Sequence, residues 1–186
     1  MTPRKLHNAA HPHNTCSTME ISMRILGISG SLQQNSGNST LLNVAASALP
    51  VGVTLDVYDG LRHLPHFDPD IEKNGAAPAS VTALRHAIAE SDALLVACPE
   101  YGHSLLGSLK NAIDWLISSG ELESKLVAIT AAVPATERGQ RGLQALRDTL
   151  GAVSARVIFG KPIARGPGFE PEVGELVAAL VRAARE

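Results

Sequence analysis

The sequence predicts an α/β fold in which a parallel sheet is covered by helices on both faces. Two observations support this prediction. Five short apolar segments alternate along the chain with five segments whose apolar residues recur at helical spacing, a pattern typical of parallel strands connected by helices. One short segment, ALLVACP, is almost entirely apolar, as expected of a strand buried on both faces.

The first half of the chain contains three predicted strands and two predicted helices. The apolar segment 24–29 predicts strand 1, and the helical spacing of Leu, Val and Ala over 38–49 predicts helix 1. Apolar and polar residues alternate over 53–59, which indicates strand 2 with one solvated face. A loop punctuated by proline and glycine follows, and then helix 2 at 80–91 and strand 3 at 93–99.

The second half continues the alternation. Residues 108–120 carry one apolar stripe and end on glycine, which predicts helix 3. Strand 4 is predicted at 125–132, helix 4 at 141–151, strand 5 at 153–159 and helix 5 at 171–185. Five strands in a chain of 186 residues fit the flavodoxin-like strand order 2-1-3-4-5 better than a six-stranded dinucleotide fold.

We therefore expect a flavodoxin-like three-layer α/β/α sandwich with a five-stranded parallel sheet. Residues 23–186 are predicted to form this single domain. Residues 1–22 are polar, hold three of the seven histidines and lack the apolar region of a secretory signal, so we expect a flexible N-terminal extension. In this strand order ligands bind at the carboxyl ends of the strands, at the switch point between strands 1 and 3.

Composition argues against several classes of function. A formal net charge of -2 and an aromatic content of 3% disfavour nucleic-acid partners. No apolar run has the length of a membrane helix, and no spaced Cys/His set predicts a metal site. Cys16 and Cys98 lie in different contexts and do not predict a disulfide framework, so the cytoplasm is the expected compartment.

Two loops at the switch point are the candidate site. Loop 1, GSLQQNSGNST (30–40), leads from strand 1 into helix 1, and a helix N-terminus with nearby hydroxyl groups suits a phosphate. It lacks both the P-loop lysine and a G-x-G-x-x-G pattern. Loop 3, CPEYGHSLLGSLKNAIDW (98–115), runs into helix 3 near Ser108 and places Tyr101 and Gly102 beyond strand 3, where an aromatic face suits the edge of a flat heterocycle.

The segments GISGSLQQNSGNSTLL and PEYGHSLLGSLKNAIDWL resemble the NADPH-dependent FMN reductase family, a flavodoxin-like group that includes chromate, quinone and azo reductases. The resemblance implies non-covalent FMN, with its phosphate in loop 1 and its ring along loop 3, and no catalytic side chain or metal. The implied cofactor-binding residues are Ser29, Ser31, Gln33, Ser36, Asn38, Ser39, Pro99, Glu100, Tyr101, Gly102 and Ser104.

The resemblance also implies an activity. A hydride would pass from NADPH or NADH through bound FMN to a small acceptor, which is a quinone, an azo compound, a metal oxyanion or free flavin. A homodimer or homotetramer is implied as well. Three alternatives remain open: a flavodoxin-like electron carrier, a non-catalytic protein that binds flavin or another phosphorylated ligand, and a different doubly wound enzyme.

The sequence departs from the family pattern at three positions. Gln33 stands where the family has arginine, Gly102 where it has asparagine, and Leu106 where it has proline. Glutamine cannot replace the charge or the bidentate geometry of arginine. Arg138 and Arg141, in the loop after strand 4, are the candidates for a replacement cation.

Overall fold

The computed structural model describes residues 23–75 and 77–186, so the N-terminal extension predicted at 1–22 lies outside the described residues. The strands are β1 (Met23–Ser29), β2 (Val53–Tyr58), β3 (Ala93–Ala97), β4 (Glu100–Tyr101), β5 (Ser104–Leu105), β6 (Leu126–Val133) and β7 (Arg156–Ala164). The helices are α1 (Gly37–Ser47), α2 (Pro69–Lys73), α3 (Ala79–Ala89), α4 (Gly107–Asp114), α5 (Gln140–Ala152) and α6 (Phe169–Ala184), with a 3-10 helix at Gly60–His63.

Five of the strands form the central sheet, in the order β2-β1-β3-β6-β7. All of their pairings are parallel. Because β6 and β7 are the fourth and fifth strands of this sheet along the chain, the predicted order 2-1-3-4-5 is confirmed. The two remaining strands, β4 and β5, pair antiparallel as a separate hairpin, which the sequence analysis did not predict.

The core has two halves, one on each face of the sheet. Alternate residues of β3 belong to different halves: Leu94 and Val96 pack with residues from α3, α4 and α5. Leu95 and Ala97 pack with residues from α1 and α6. All five residues of β3 are buried, as predicted for a strand covered on both sides. The three-layer sandwich is therefore confirmed.

Helix 3 of the prediction is shorter than expected, because α4 ends at Asp114 rather than near residue 120. Trp115 is fully buried, and its indole N–H donates to the Pro65 carbonyl at 2.9 Å. Its own carbonyl accepts from Arg85 Nη2 at 2.7 Å. That carbonyl is held by a tertiary contact just past the helix end, and the chain continues in turns.

The last predicted strand is shifted, since β7 covers Arg156–Ala164 instead of 153–159. Ser154 has a left-handed φ of 57° and belongs to the turn that precedes the strand. Pro162 does not end the strand, because β7 is at the edge of the sheet, where a residue without an N–H is tolerated. The predicted loop after strand 2 also contains α2 and the 3-10 helix.

Candidate functional site

Loops 1 and 3 meet at the switch point between β1 and β3. The Gly30 N–H donates to the Ala97 carbonyl at 2.9 Å, and the Ser108 hydroxyl donates to the Gly30 carbonyl at 3.3 Å. A methyl group on Gly30 would lie 3.0 Å from Pro99 Cδ and 3.3 Å from Leu109 Cδ2. The close approach of the two loops therefore depends on glycine at position 30.

Two of the predicted residues fix the start of α1. Ser36 is the N-cap: its Oγ accepts from the Ser39 N–H at 3.0 Å and shares a hydrogen bond of 2.9 Å with the Ser39 hydroxyl. Asn38 is buried, and its Oδ1 accepts from the Ala132 N–H of β6 at 2.9 Å. These side chains hold the helix N-terminus in place at the carboxyl end of the sheet.

Four other predicted residues line one cavity of about 340 Å³ at the carboxyl ends of β1 and β2. They are Ser29, Ser31, Gln33 and Ser39. This volume falls within the roughly 300–1,000 Å³ of small-molecule sites. A larger cavity of about 680 Å³ lies beside Arg165 and Phe169; loop 1 contributes Asn35, Gly37 and Thr40 to it, but none of the eleven implied cofactor-binding residues lines it.

Loop 3 is built around the hairpin of β4 and β5. Its two turn residues, Gly102 and His103, have φ values of 57° and 63°, and a two-residue hairpin turn of type I′ requires positive φ at both positions. Glycine and asparagine both adopt this conformation. Glycine at position 102, in place of the family's asparagine, therefore preserves the backbone of the hairpin. In this hairpin Ser104 pairs with Tyr101.

Glu100 anchors this hairpin to α5. Its Oε2 accepts from the Gly142 N–H at 3.0 Å, and its Oε1 lies 3.4 Å from His103 Nδ1. The Gly142 N–H lowers the pKa of the Glu100 carboxyl, and the contact with His103 adds to this effect. Glu100 is therefore ionised at neutral pH and engaged within the protein.

The remaining predicted residues present a surface rather than a cavity lining. Tyr101 is 59% exposed, so its ring is accessible to a flat ligand. Pro99 lies against Gly30, at the junction of the two loops. The structure thus brings Pro99 and loop 1 together and places the residues from Glu100 to Ser104 in the adjoining hairpin.

Sequence reasoning missed part of the cavity wall. The residues at the end of β2 and just beyond it that line the cavity with loop 1 are Val57, Tyr58, Asp59, Leu61, Arg62 and His63. Burial raises the pKa of the Tyr58 hydroxyl, and the Asp59 carboxylate adds to this shift. The place of these residues in the predicted fold could have indicated them, because the carboxyl end of strand 2 lies at the same edge of a parallel sheet as loop 1.

Cys98 is buried, and burial raises the pKa of its thiol to about 12. It is therefore a thiol at neutral pH and a poor nucleophile. Within residues 23–75 and 77–186, no group of three His, Cys, Asp or Glu side chains is placed to hold a metal ion. None of the described helices has the length and hydropathy needed to span a bilayer.

The sequence model of the NADPH-dependent FMN reductase family matches residues 23–166. The chain belongs to this family. An NAD(P)H-dependent FMN reductase of Pseudomonas aeruginosa is 38% identical over 134 residues, which are 71% of each chain. A quinone reductase of Escherichia coli is 28% identical over 165 residues, covering 86% of this chain and 87% of the relative.

A solved structure supports the fold. The flavoenzyme NAD(P)H:(acceptor) oxidoreductase FerB from Paracoccus denitrificans superposes with a TM-score of 0.75 at 24% identity, covering 88% of this chain and 97% of FerB. Family membership confirms the predicted enzyme class: the protein is a flavin-dependent NAD(P)H oxidoreductase that uses FMN and NAD(P)H and passes electrons to a small molecule.

Proposed function

We propose that the protein oxidises NAD(P)H and reduces a quinone, with FMN bound across loop 1 and the hairpin of loop 3. The observation that carries this proposal is the contact of Gly30 with Ala97 and Pro99, because it joins the two family segments into one site at the switch point. Azo compounds, metal oxyanions and free flavin are the further candidate acceptors.

Loop 1 fits the phosphate of FMN. The Ser31 Oγ accepts from the Gln33 N–H at 3.2 Å, which leaves its hydroxyl hydrogen to donate to a phosphate oxygen. The Ser39 hydroxyl lines the same cavity in the first turn of α1, where the helix dipole favours an anion. Ser36 and Asn38 serve by fixing this helix start rather than by facing the cavity.

Loop 3 fits the ring. Tyr101 offers an exposed aromatic face, and Pro99 lies at the junction with loop 1. When bound, FMN supplies the two-electron chemistry between NAD(P)H and the acceptor. The role of the chain is to bind and orient the ring. Glu100, which stays ionised against the Gly142 N–H, holds the hairpin and does not donate a proton.

The remaining parts of the proposal concern organisation. We propose that residues 23–186 act as one domain, that the protein forms a homodimer or homotetramer, and that it acts in the cytoplasm. Within residues 23–75 and 77–186, Cys98 is a free thiol, as is typical of a reducing compartment. Sedimentation of the purified protein tests the oligomeric state.

An absorbance spectrum of the purified protein, with FMN added if needed, tests the function. We expect flavin bands that NADPH bleaches without oxygen and that a quinone restores. Sustained NADPH oxidation with quinone separates an enzyme from an electron carrier. Failure to bind FMN at saturating concentration would contradict the proposal.

The placement of the ring has its own test. Tyr101→Ala removes the exposed aromatic face, so we expect FMN binding to weaken roughly 10-fold, as stacking contacts of this size do. The matched control is Lys110→Ala, which removes an exposed side chain of α4 paired with Asp114. Equal effects of the two substitutions on the FMN dissociation constant would show that the ring lies elsewhere.

A further inference from the structure

The cavity beside loop 1 contains a guanidinium group that the family motifs do not include. Arg62 belongs to the 3-10 helix Gly60–His63 and lines the cavity together with Gln33. Its Nη2 donates to the Leu32 carbonyl at 2.6 Å. Leu32 directly precedes Gln33, so Arg62 is held beside position 33, where the family pattern has an arginine.

The charges around the cavity show what Arg62 contributes. Among the lining residues, the formal charges are the positive charge of Arg62 and the negative charge of Asp59. In the described part of the chain, no carboxylate oxygen lies within 4.0 Å of the Arg62 guanidinium nitrogens. Without Arg62 the cavity would carry a net negative charge and would repel a phosphate.

The hydrogen-bond donors of Arg62 also suit an anion. A guanidinium has five N–H donors, and the Leu32 carbonyl engages one nitrogen of Arg62. The other donors remain for an anion, and arginine binds phosphate oxygens in pairs. The side chain is exposed, so a ligand reaches it without rearrangement of the core. Arg138 and Arg141 are not among the cavity residues.

We propose that Arg62 is the cationic contact of the FMN phosphate. Arg62, in the segment after β2, thereby replaces the arginine that the family pattern has in loop 1, at the position that Gln33 occupies here. This inference rests on the proposed function. The hydroxyls of Ser31 and Ser39, which we propose to bind the FMN phosphate, line the same cavity, so we assign Arg62 to that phosphate rather than to the 2′-phosphate of NADPH.

The test compares FMN with riboflavin, which lacks the phosphate, by fluorescence titration of the apoprotein. Arg62→Gln should weaken FMN binding roughly 10- to 100-fold and leave riboflavin binding nearly unchanged. Returning the charge to loop 1 in the double variant Gln33→Arg, Arg62→Gln should restore the preference for FMN. Asp59→Asn removes the opposing charge and should strengthen FMN binding.

Three outcomes would overturn the assignment. Equal FMN binding by wild type and Arg62→Gln would exclude a role of Arg62. An equal loss of FMN and riboflavin would show that Arg62 shapes the loop through Leu32 and does not contact the phosphate. If Arg62→Gln weakened the binding of NADPH but not that of NADH or FMN, Arg62 would be assigned to the 2′-phosphate of NADPH. Wild-type protein that binds neither flavin would instead refute the proposed function itself.

Discussion

Loop 1 and loop 3 meet at the same edge of the sheet but use their polar groups differently. In loop 1, the hydroxyls of Ser31 and Ser39 line a cavity, while Ser36 and Asn38 fix the helix behind them. In loop 3, Glu100 is engaged by α5. Loop 1 therefore offers hydrogen-bonding groups to a ligand, whereas loop 3 offers a surface whose position depends on its anchor.

The strongest test of this difference removes the space under the loop 3 hairpin. A methyl group in Gly142→Ala would lie 3.0 Å from Glu100 Cβ, 3.1 Å from Glu100 Cα and 3.3 Å from the Ser104 carbonyl oxygen. Two of these contacts are with backbone, which cannot rotate away. We expect a loss of about 1–3 kcal/mol in the free energy of unfolding, measured by urea titration, and weaker FMN binding.

The control for this substitution lies in the same helix. A methyl group on Gly151 meets no atom within 4 Å, so Gly151→Ala should stabilise the protein by up to about 1 kcal/mol through helix propensity. If Gly142→Ala were stabilising as well, the hairpin would not depend on close packing against α5.

A test of intermediate size acts on loop 1. Ser36→Ala removes the N-cap of α1 and should cost about 1 kcal/mol of unfolding free energy. It also frees the Ser39 hydroxyl from its partner and should loosen FMN binding more than riboflavin binding. Ser47→Ala, in the last turn of the same helix, is the control and should change neither quantity measurably.

The smallest effect concerns the charge of Glu100 and depends on pH. Glu100→Gln keeps an oxygen that accepts from the Gly142 N–H but loses the charge, so we expect a loss of roughly 0.5–1 kcal/mol at neutral pH. Because folding lowers the Glu100 pKa from 4.5, its contribution is present above pH 4.5 and disappears as the pH falls through the lower folded-state value.

Urea titrations of both proteins from pH 7 down to pH 3 measure this dependence. The unfolding free energies of wild type and Glu100→Gln should converge toward the acid end. A constant difference between them over that range would mean that the carboxylate charge of Glu100 does not hold the hairpin.

The fold could be predicted from the sequence where the local pattern of apolar residues matches the burial of those residues in the structure. The alternation of strands and helices gave the correct sheet order, and the apolar segment of strand 3 gave its burial. The end of α4 was predicted wrongly because the buried Trp115 and its contacts with Pro65 and Arg85 are tertiary. The two-residue strands of the hairpin escaped prediction because Gly102 and His103 do not form an Asn-Gly turn signal.

The site shows the same limit. Motif spacing located loops 1 and 3, but it could not show that Glu100 would be engaged by Gly142 or that Asn38 would bind β6. Arg62 lies 29 residues from Gln33 along the chain and reaches the same cavity through the parallel pairing of β1 with β2. Contacts between distant segments are set by the sheet, and no local pattern records them.

Pro162 also has a consequence for association between chains. It lies in β7, at the edge of the sheet. Unpaired N–H and C=O groups at a sheet edge can pair with a strand from another molecule. A residue without an N–H at the seventh position of this nine-residue strand removes one donor that such pairing would use. Pro162 therefore disfavours extension of the sheet through this part of β7.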